Sequence, residues 1–216
     1  MALSSEEARV LACLIEKQVT VPDTYPLTLN ALRLACNQTS SRHPVVTYDD
    51  RTVEQALLSL KSMGLVRFVH PAQGGRTTRY RHIADERWRL SPGDLGVLSV
   101  LVLRGPQTAG EIRARAERHL EGSDQSVDEI LDSLVARSPE PFALRLDRRP
   151  GEREPRFAHL LCGDAESTLP EPPGRYTSEP SAPVAPPAEP GEIEALRAEV
   201  AELRGRLDRL ESLLGV

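Results

Sequence analysis

The side chains most able to do chemistry are cysteines, histidines and paired acids, and their spacing decides what they can build. Cys13, Cys36 and Cys162 are an odd number, far apart, with no C-x-x-C pair. That pattern argues against a disulfide framework or a zinc module and fits a reduced, cytoplasmic protein. Cys36 and His43 are close enough in sequence to meet, but two ligands rarely make a zinc site, and a buried free cysteine is the commoner fate. Asp49-Asp50 resembles an acid pair, yet adjacent carboxylates ahead of a helix more often cap it. His82 and His159 each stand two residues after an aromatic. Neither strand supplies further ligands, so both read as structural histidines. Trp88 lies between Arg87 and Arg89; it could stack on a base, but reads first as a packing residue at a domain junction. No G-x-S-x-G, P-loop, G-x-G-x-x-G or H-E-x-x-H occurs. The expectation is no catalytic residue, no cofactor and no metal, hence not an enzyme.

What remains is a set of arginines and small polar groups suited to double-stranded DNA. Thr52, Gln55, Ser59 and Ser62 fall on what should be the outward face of a helix starting near Asp50, with Arg51 at its start and Lys61 beside it. Small polar groups there can approach base edges. Asn37, Gln38, Ser40, Ser41 and Arg42 precede that helix, and Arg67, Arg76, Arg79 and Arg81 lie on the hairpin after it. These would position phosphate. The competing reading is a solvated face with polar groups capping turns.

The elements that must hold these residues come in two copies. Leu3-Ser4 with Val10-Leu11 and Leu14-Ile15 is echoed by Leu90-Ser91 with Val97-Leu98 and Leu101-Val102. The run Thr52–Leu60 is echoed by Ser126–Leu134, and Arg79–Ile83 by Arg156–Leu160, in the same order. Ser4 with Glu7, Thr108 with Glu111 and Ser126 with Glu129 fit the capping box at a helix start, as does Ser91 followed by Pro92. Apolar residues at helical spacing predict helices after Ser4, over about Thr28–Asn37, and through Val53, Leu57 and Leu60 to Met63-Gly64. Leu65–His70 and Thr77–Ile83 read as a hairpin around Pro71–Arg76. Copy two ends likewise, with strands over Phe142–Leu146 and Pro155–Leu161. Three helices and a hairpin are the winged-helix arrangement. The fold expected is therefore α+β, mainly α, with two tandem winged-helix domains at 1–90 and 91–163.

Tyr25-Pro26-Leu27-Thr28-Leu29-Asn30-Ala31-Leu32, Ala35-Cys36-Asn37-Gln38, Ser41-Arg42-His43-Pro44-Val45 and Gly64-Leu65-Val66-Arg67 resemble the YceH family of bacterial proteins. The resemblance covers about residues 3–163. It implies tandem winged-helix domains and a poorly defined biochemical role, and it brings no catalytic residues to carry over. Thr39 stands where the family usually has lysine, removing a cation from a phosphate contact. The Gly74-Gly75 hairpin tip and the C-terminal extension are not expected in the shared core.

Charge and proline divide the chain further. The net charge is -5, but residues 1–90 hold 12 basic and 9 acidic groups, so the first domain is positive. Residues 164–190 hold 1 basic and 5 acidic groups, and eight of the chain's 18 prolines lie there, from Pro170 to Pro190. They read as an acidic, disordered linker reaching on the order of 80 Å. In copy two the third helix presents Asp128, Glu129 and Asp132, which phosphate would repel, so that domain suits another protein or the first domain. Residues 191–216 carry Ile193, Leu196, Val200, Leu203, Leu207, Leu210 and Leu214 at heptad a and d positions. The flanking pairs Glu192–Arg197, Glu199–Arg204 and Arg206–Glu211 are opposite in sign in a parallel homodimer. The N-terminus lacks a signal-peptide pattern, and no apolar run is long enough to span a membrane. Two functions follow as expectations: a DNA-associated regulator whose first domain touches DNA and whose coiled coil dimerises, or a protein-interaction scaffold without nucleic acid.

Overall fold

Capping side chains fix where the helices begin. In the computed structural model, which describes residues 2–70, 77–148 and 151–163, Ser4 Oγ accepts from the Glu7 N–H at 3.2 Å while the Glu7 carboxylate accepts from the Ser4 N–H at 2.8 Å. This opens α1, Ser5–Thr20. The same reciprocal box opens α5 (Pro92–Arg104) at Ser91, α6 (Ala109–Ala116) at Thr108 and α7 (Val127–Ala136) at Ser126. Thr28 caps α2, Leu29–Cys36, and Asp49 caps α3, Asp50–Ser62, so the Asp49 carboxylate is a cap. Gly64 ends α3 at φ +72, a left-handed conformation that glycine adopts without penalty.

Each half then folds back as a small antiparallel sheet. In the first, β1 (Leu27–Thr28) and β2 (Val66–Val69) flank β3 (Arg79–His82). In the second, β4 (Gln107–Thr108) and β5 (Ala143–Arg145) flank β6 (Arg156–His159) in the same order. The registers correspond, with Leu27 opposite Tyr80 and Gln107 opposite Phe157. The hairpins match the expected ones. The two-residue strands β1 and β4 were not expected, being too short to show an alternating pattern. A short helix α4, Ala84–Trp88, joins the halves. Trp88 packs on Phe142 with ring centroids 5.2 Å apart, and the Arg137 guanidinium donates to the Trp88 carbonyl. Trp88 is therefore a junction residue. The hairpin tip with Gly74, Gly75 and Arg76, the proline-rich stretch 164–190 and the heptad segment 191–216, including Ile193 through Leu214, lie outside the described residues.

The two halves share one continuous core built on α1 and α5. The sequence pattern predicts a single apolar stripe on α1. Instead every residue from Ala8 to Ile15 is buried, and on α5 every residue from Leu95 to Leu103. A helix covered on all sides is central rather than peripheral. Each first helix packs against its own half on one face and against the other half on the opposite face. Full burial of Leu11, Leu14, Leu98 and Leu101 is worth roughly 1.5–3 kcal/mol apiece. The Leu3 N–H donates to the Leu161 carbonyl at 2.7 Å, tying the start of the first half to the end of the second. Gly96 lets the turn Glu117–His119 lie directly on α5, since a Cβ there would collide with the His119 Cβ.

Arg42, expected among the DNA contacts, is instead enclosed, with 0% of its side chain exposed. Its Nη1 and Nη2 clamp the Glu16 carboxylate at 3.0 and 2.6 Å. Its remaining donors reach the Ala35 carbonyl, the Ser41 carbonyl and Gln38 Oε1. All five guanidinium N–H groups are thereby used. Burial pushes the Glu16 carboxyl up, but the Arg42 bonds and charge, with Lys17, outweigh it and hold the group below its ordinary value. Nearby, the buried Arg9 donates to the Pro44 carbonyl at 2.7 Å, and the Asn37 amide makes a two-way pair with the Tyr48 backbone. The loop before α3 is therefore fastened to α1, and through His43 N–H to the Leu103 carbonyl at 2.7 Å it is fastened to α5 as well.

His82 and His159 occupy matching positions and are both buried. His82 Nε2 meets Gln18 Oε1 on α1, while the Asp85 carboxylate lies 3.7 Å from Nδ1. Burial pulls both imidazoles down from 6.5 to about 4. Both are neutral in the fold and charge on unfolding, so the unfolded chain binds more protons between these values. Stability is thus complete above pH 6.5 and falls as pH drops towards the folded value, by on the order of 2 kcal/mol per histidine at pH 5. The thermal midpoint should decline from pH 6.5 to 5, and His82→Gln/His159→Gln should flatten that decline; an unchanged slope in the double variant would contradict it. Arg42→Ala should destabilise by about 3 kcal/mol, because it empties an enclosed site and leaves the half-buried Glu16 with Lys17 alone. The additional loss on adding Glu16→Gln to that variant should be well below the loss from Glu16→Gln alone, as measured by urea denaturation.

Candidate nucleic-acid interface

The phase of α3 follows from what it buries. Val53, Ala56, Leu57 and Leu60 face the core, which turns Arg51, Glu54, Gln55, Leu58, Lys61 and Ser62 to the exposed side. Gln55 and Ser62 lie where the sequence reading put them. Thr52 and Ser59 are half-buried at the flanks of that face. At its centre stands Leu58, 59% exposed, which the sequence reading left out. Among the described residues Arg51 makes no ion pair. Lys61 Nζ sits 4.4 Å over the Phe68 ring on β2, an arrangement that keeps its charge available. Asp50 is neutralised by Arg33, Nε to Oδ1 at 2.7 Å.

The cations of the hairpin are more occupied than expected. Arg67 and Arg81 both reach the Glu86 carboxylate, at 3.5 and 3.4 Å. Arg79 Nη1 donates to the carbonyls of Thr24 at 3.2 Å and Pro26 at 2.8 Å. The second half repeats this device, with Arg156 Nη1 donating to the Pro106 carbonyl at 3.3 Å. An arginine used identically in both halves is fastening its sheet to the chain before the second helix. The repeat carried that signal: Arg79 and Arg156 fall at matching positions. Among the described residues Arg79 makes no ion pair and is exposed, whereas Arg156 also pairs with Glu152 and Glu111. Arg76 lies outside the described residues.

The equivalent face of the second half has opposite character. Asp128, Glu129 and Asp132 are all exposed on α7. Asp128 pairs with Arg113 at 2.6 Å, and Glu129 completes the capping box of Ser126, whose bonds hold its carboxyl below its ordinary value. Cys36, weighed above with His43, lies instead against Cys13 in the core. Among the described residues no three histidine, cysteine or acidic side chains gather as a metal site would need, and no helix is long and apolar enough to cross a membrane.

Comparison with known proteins matches residues 3–152 to the family described as "Protein of unknown function, DUF480". A UPF0502 protein of Geobacter sulfurreducens is 48% identical over 170 residues, covering 78% of this chain and 76% of its own. UPF0502 protein YceH of Escherichia fergusonii is 42% identical over 224 residues, covering 99% of this chain and 98% of its own. A UPF0502 protein of Enterobacter sp. is 41% identical over 218 residues, covering 99% and 98%. The last two alignments run through the C-terminal extension, so that segment is shared with part of the family, contrary to the expectation from the sequence. From its family match and these relatives, the chain belongs to the UPF0502 (DUF480) family.

Proposed function

We propose that the protein is a non-enzymatic, DNA-associated regulator. In this reading the three helices and sheet of the first half work as a winged helix. Helix α3 approaches the major groove, and the β2–β3 hairpin lies along phosphate. The observation that carries the reading is the asymmetry between the two halves. The exposed face of α3 offers Arg51, Gln55, Lys61 and Ser62 with one carboxylate, Glu54, while the matching face of α7 offers Asp128, Glu129 and Asp132. With Asp50 paired to Arg33 and Asp128 to Arg113, the first face is left net positive and the second net negative, so the first is the one that phosphate attracts. Gln55 is of a type that pairs with adenine in the groove, and Arg51 and Lys61 suit phosphate or guanine. The second half, a second winged helix in this reading, supports the first through α5 and turns its acidic face to solvent or a protein partner. The proline-rich stretch tethers a C-terminal helix that pairs in a parallel homodimer, and the protein works in the cytoplasm.

A second reading rests on Leu58. An exposed leucine at the middle of the face, with Leu34 also exposed on α2, suits a protein partner better than a nucleic acid, and supports the scaffold alternative.

The full-length protein should bind a 20-base-pair duplex of arbitrary sequence at low salt, followed by fluorescence anisotropy. With about four cations engaged, affinity should fall roughly 100-fold between 50 and 200 mM salt. Arg51→Glu/Lys61→Glu should remove binding without changing the thermal midpoint, since neither side chain is buried. No binding at 50 mM salt, or binding indifferent to these changes, would leave the scaffold reading in place. In sedimentation, the full chain should run as a dimer and a chain ending at Cys162 as a monomer; equal masses would contradict the zipper.

A further inference from the structure

A cavity of about 280 Å³ opens where the C-terminal ends of α1 and α5 meet α6 and the turn after it. Its wall is mostly polar. Glu16 comes from α1, Ser41 from the loop before α3, Arg104 from α5, Arg115 from α6, and Arg118 and His119 from the turn Glu117–His119. Three arginines around one small cavity hold more positive charge than their neighbours neutralise. Glu16 is already clamped by Arg42. Arg115 reaches Glu111 only at 4.0 Å, though it also donates to Gln107. Arg118 makes no ion pair or hydrogen bond among the described residues. Glu117 is the remaining acid on the rim. The Arg104 guanidinium donates to Ser41 Oγ at 2.6 Å. Burial, then the nearby charges of Arg115 and Arg42, press its pKa below the ordinary arginine value. His119 lines the same cavity, with its Nδ1 edge packed against Gly96 of α5.

The internal repeat separates fold-building cations from spare ones. Arg79 and Arg156 match because both halves need them. The capping threonines Thr28 and Thr108 also match, which sets Ala35 opposite Arg115 and Gln38 opposite Arg118. The first half builds the helix matching α6 with alanine at the Arg115 position, so that helix does not require the arginine; Arg118 stands beyond it, in the turn Glu117–His119, where the first half has glutamine.

We propose that this cavity binds a small phosphate-bearing molecule, held by Arg104, Arg115 and Arg118 with Ser41 and His119 as further polar partners. Planar guanidinium forks suit the several oxygens of a phosphate, and one that has no protein partner is free to engage a ligand. The volume is near the lower end for ligand pockets, which favours a small metabolite. Because the lining draws on α1, α5 and α6 together, a bound anion braces the contact between the halves. This site does not depend on whether α3 touches DNA.

The test is isothermal titration of the full-length protein with inorganic pyrophosphate at 50 mM sodium chloride. We expect one saturable site per chain with a Kd below about 1 mM. Arg118→Ala should weaken it at least about fivefold, and Arg118→Glu should remove it. Arg113→Ala, whose arginine pairs with Asp128 and does not line the cavity, should leave it unchanged. No saturable heat up to about 10 mM, or equal weakening by Arg113→Ala and Arg118→Ala, would overturn the proposal. The latter result would mean diffuse attraction to surface charge.

Discussion

The buried clamp of Arg42 on Glu16 is the interaction from which the rest of the first half takes its position. A guanidinium taken out of water costs several kcal/mol unless every donor is satisfied, and here each of the five has an acceptor. Those acceptors sit on α1, at the end of α2 and in the loop beyond it, so one side chain fixes three segments at once. Arg9 and Asn37 add local fastenings to the same loop. Helix α3 begins where that loop ends, so its exposed face inherits its direction from a buried ion pair. A well-packed apolar substitute could be equally stable. What the ion pair adds is direction, because its five bonds are satisfied in one geometry.

The clamp also links the halves. The loop it holds bonds to α5 through His43 and through Ser41 with Arg104, and α1 and α5 are each enclosed by both halves. The second half is thus part of the scaffold that aims the first. This suits a division of labour in which one copy of a duplicated fold keeps a groove-compatible face while the other keeps only its packing role. The two copies share what folding requires: capping residues, core positions, the arginine that fastens each sheet and the buried histidine. They differ at exposed positions, where recognition is built. The polar cavity lined by Arg104, Arg115 and Arg118 lies at the joint between them, well placed for a ligand to alter how firmly they pack.

Much of this was legible in the sequence because local rules act in the same direction. Ser4, Thr108 and Ser126 announced their helices through the glutamates three residues on, and Gly64 announced the end of α3. Long apolar runs flanked by such caps leave little freedom in assigning elements. The repeat gave the order of strands and helices twice over. Three features were not legible. Burial of α1 on all sides depends on α5, more than seventy residues away, and periodicity within one helix cannot reveal a distant cover. The two-residue strands β1 and β4 exist only by pairing with β3 and β6. Arg42 is the third: beside Ser41 and before a helix whose polar face reads as suited to DNA it looks like a phosphate ligand, and only the fold brings Glu16 to it. The exposure of Leu58 follows from the helix phase that Val53, Leu57 and Leu60 fix, although a leucine beside Leu57 reads as core.

The central claim is that the first half alone presents a face to DNA, with its direction set by the clamped loop. Backbone amide shifts of the isotopically labelled protein, recorded as duplex DNA is added at low salt, test it most directly. The account predicts shifts along Arg51–Ser62 and on the β2–β3 hairpin, with Val127–Ala136 unmoved. Shifts centred on α7, or none in α3 while the protein is bound, would contradict it.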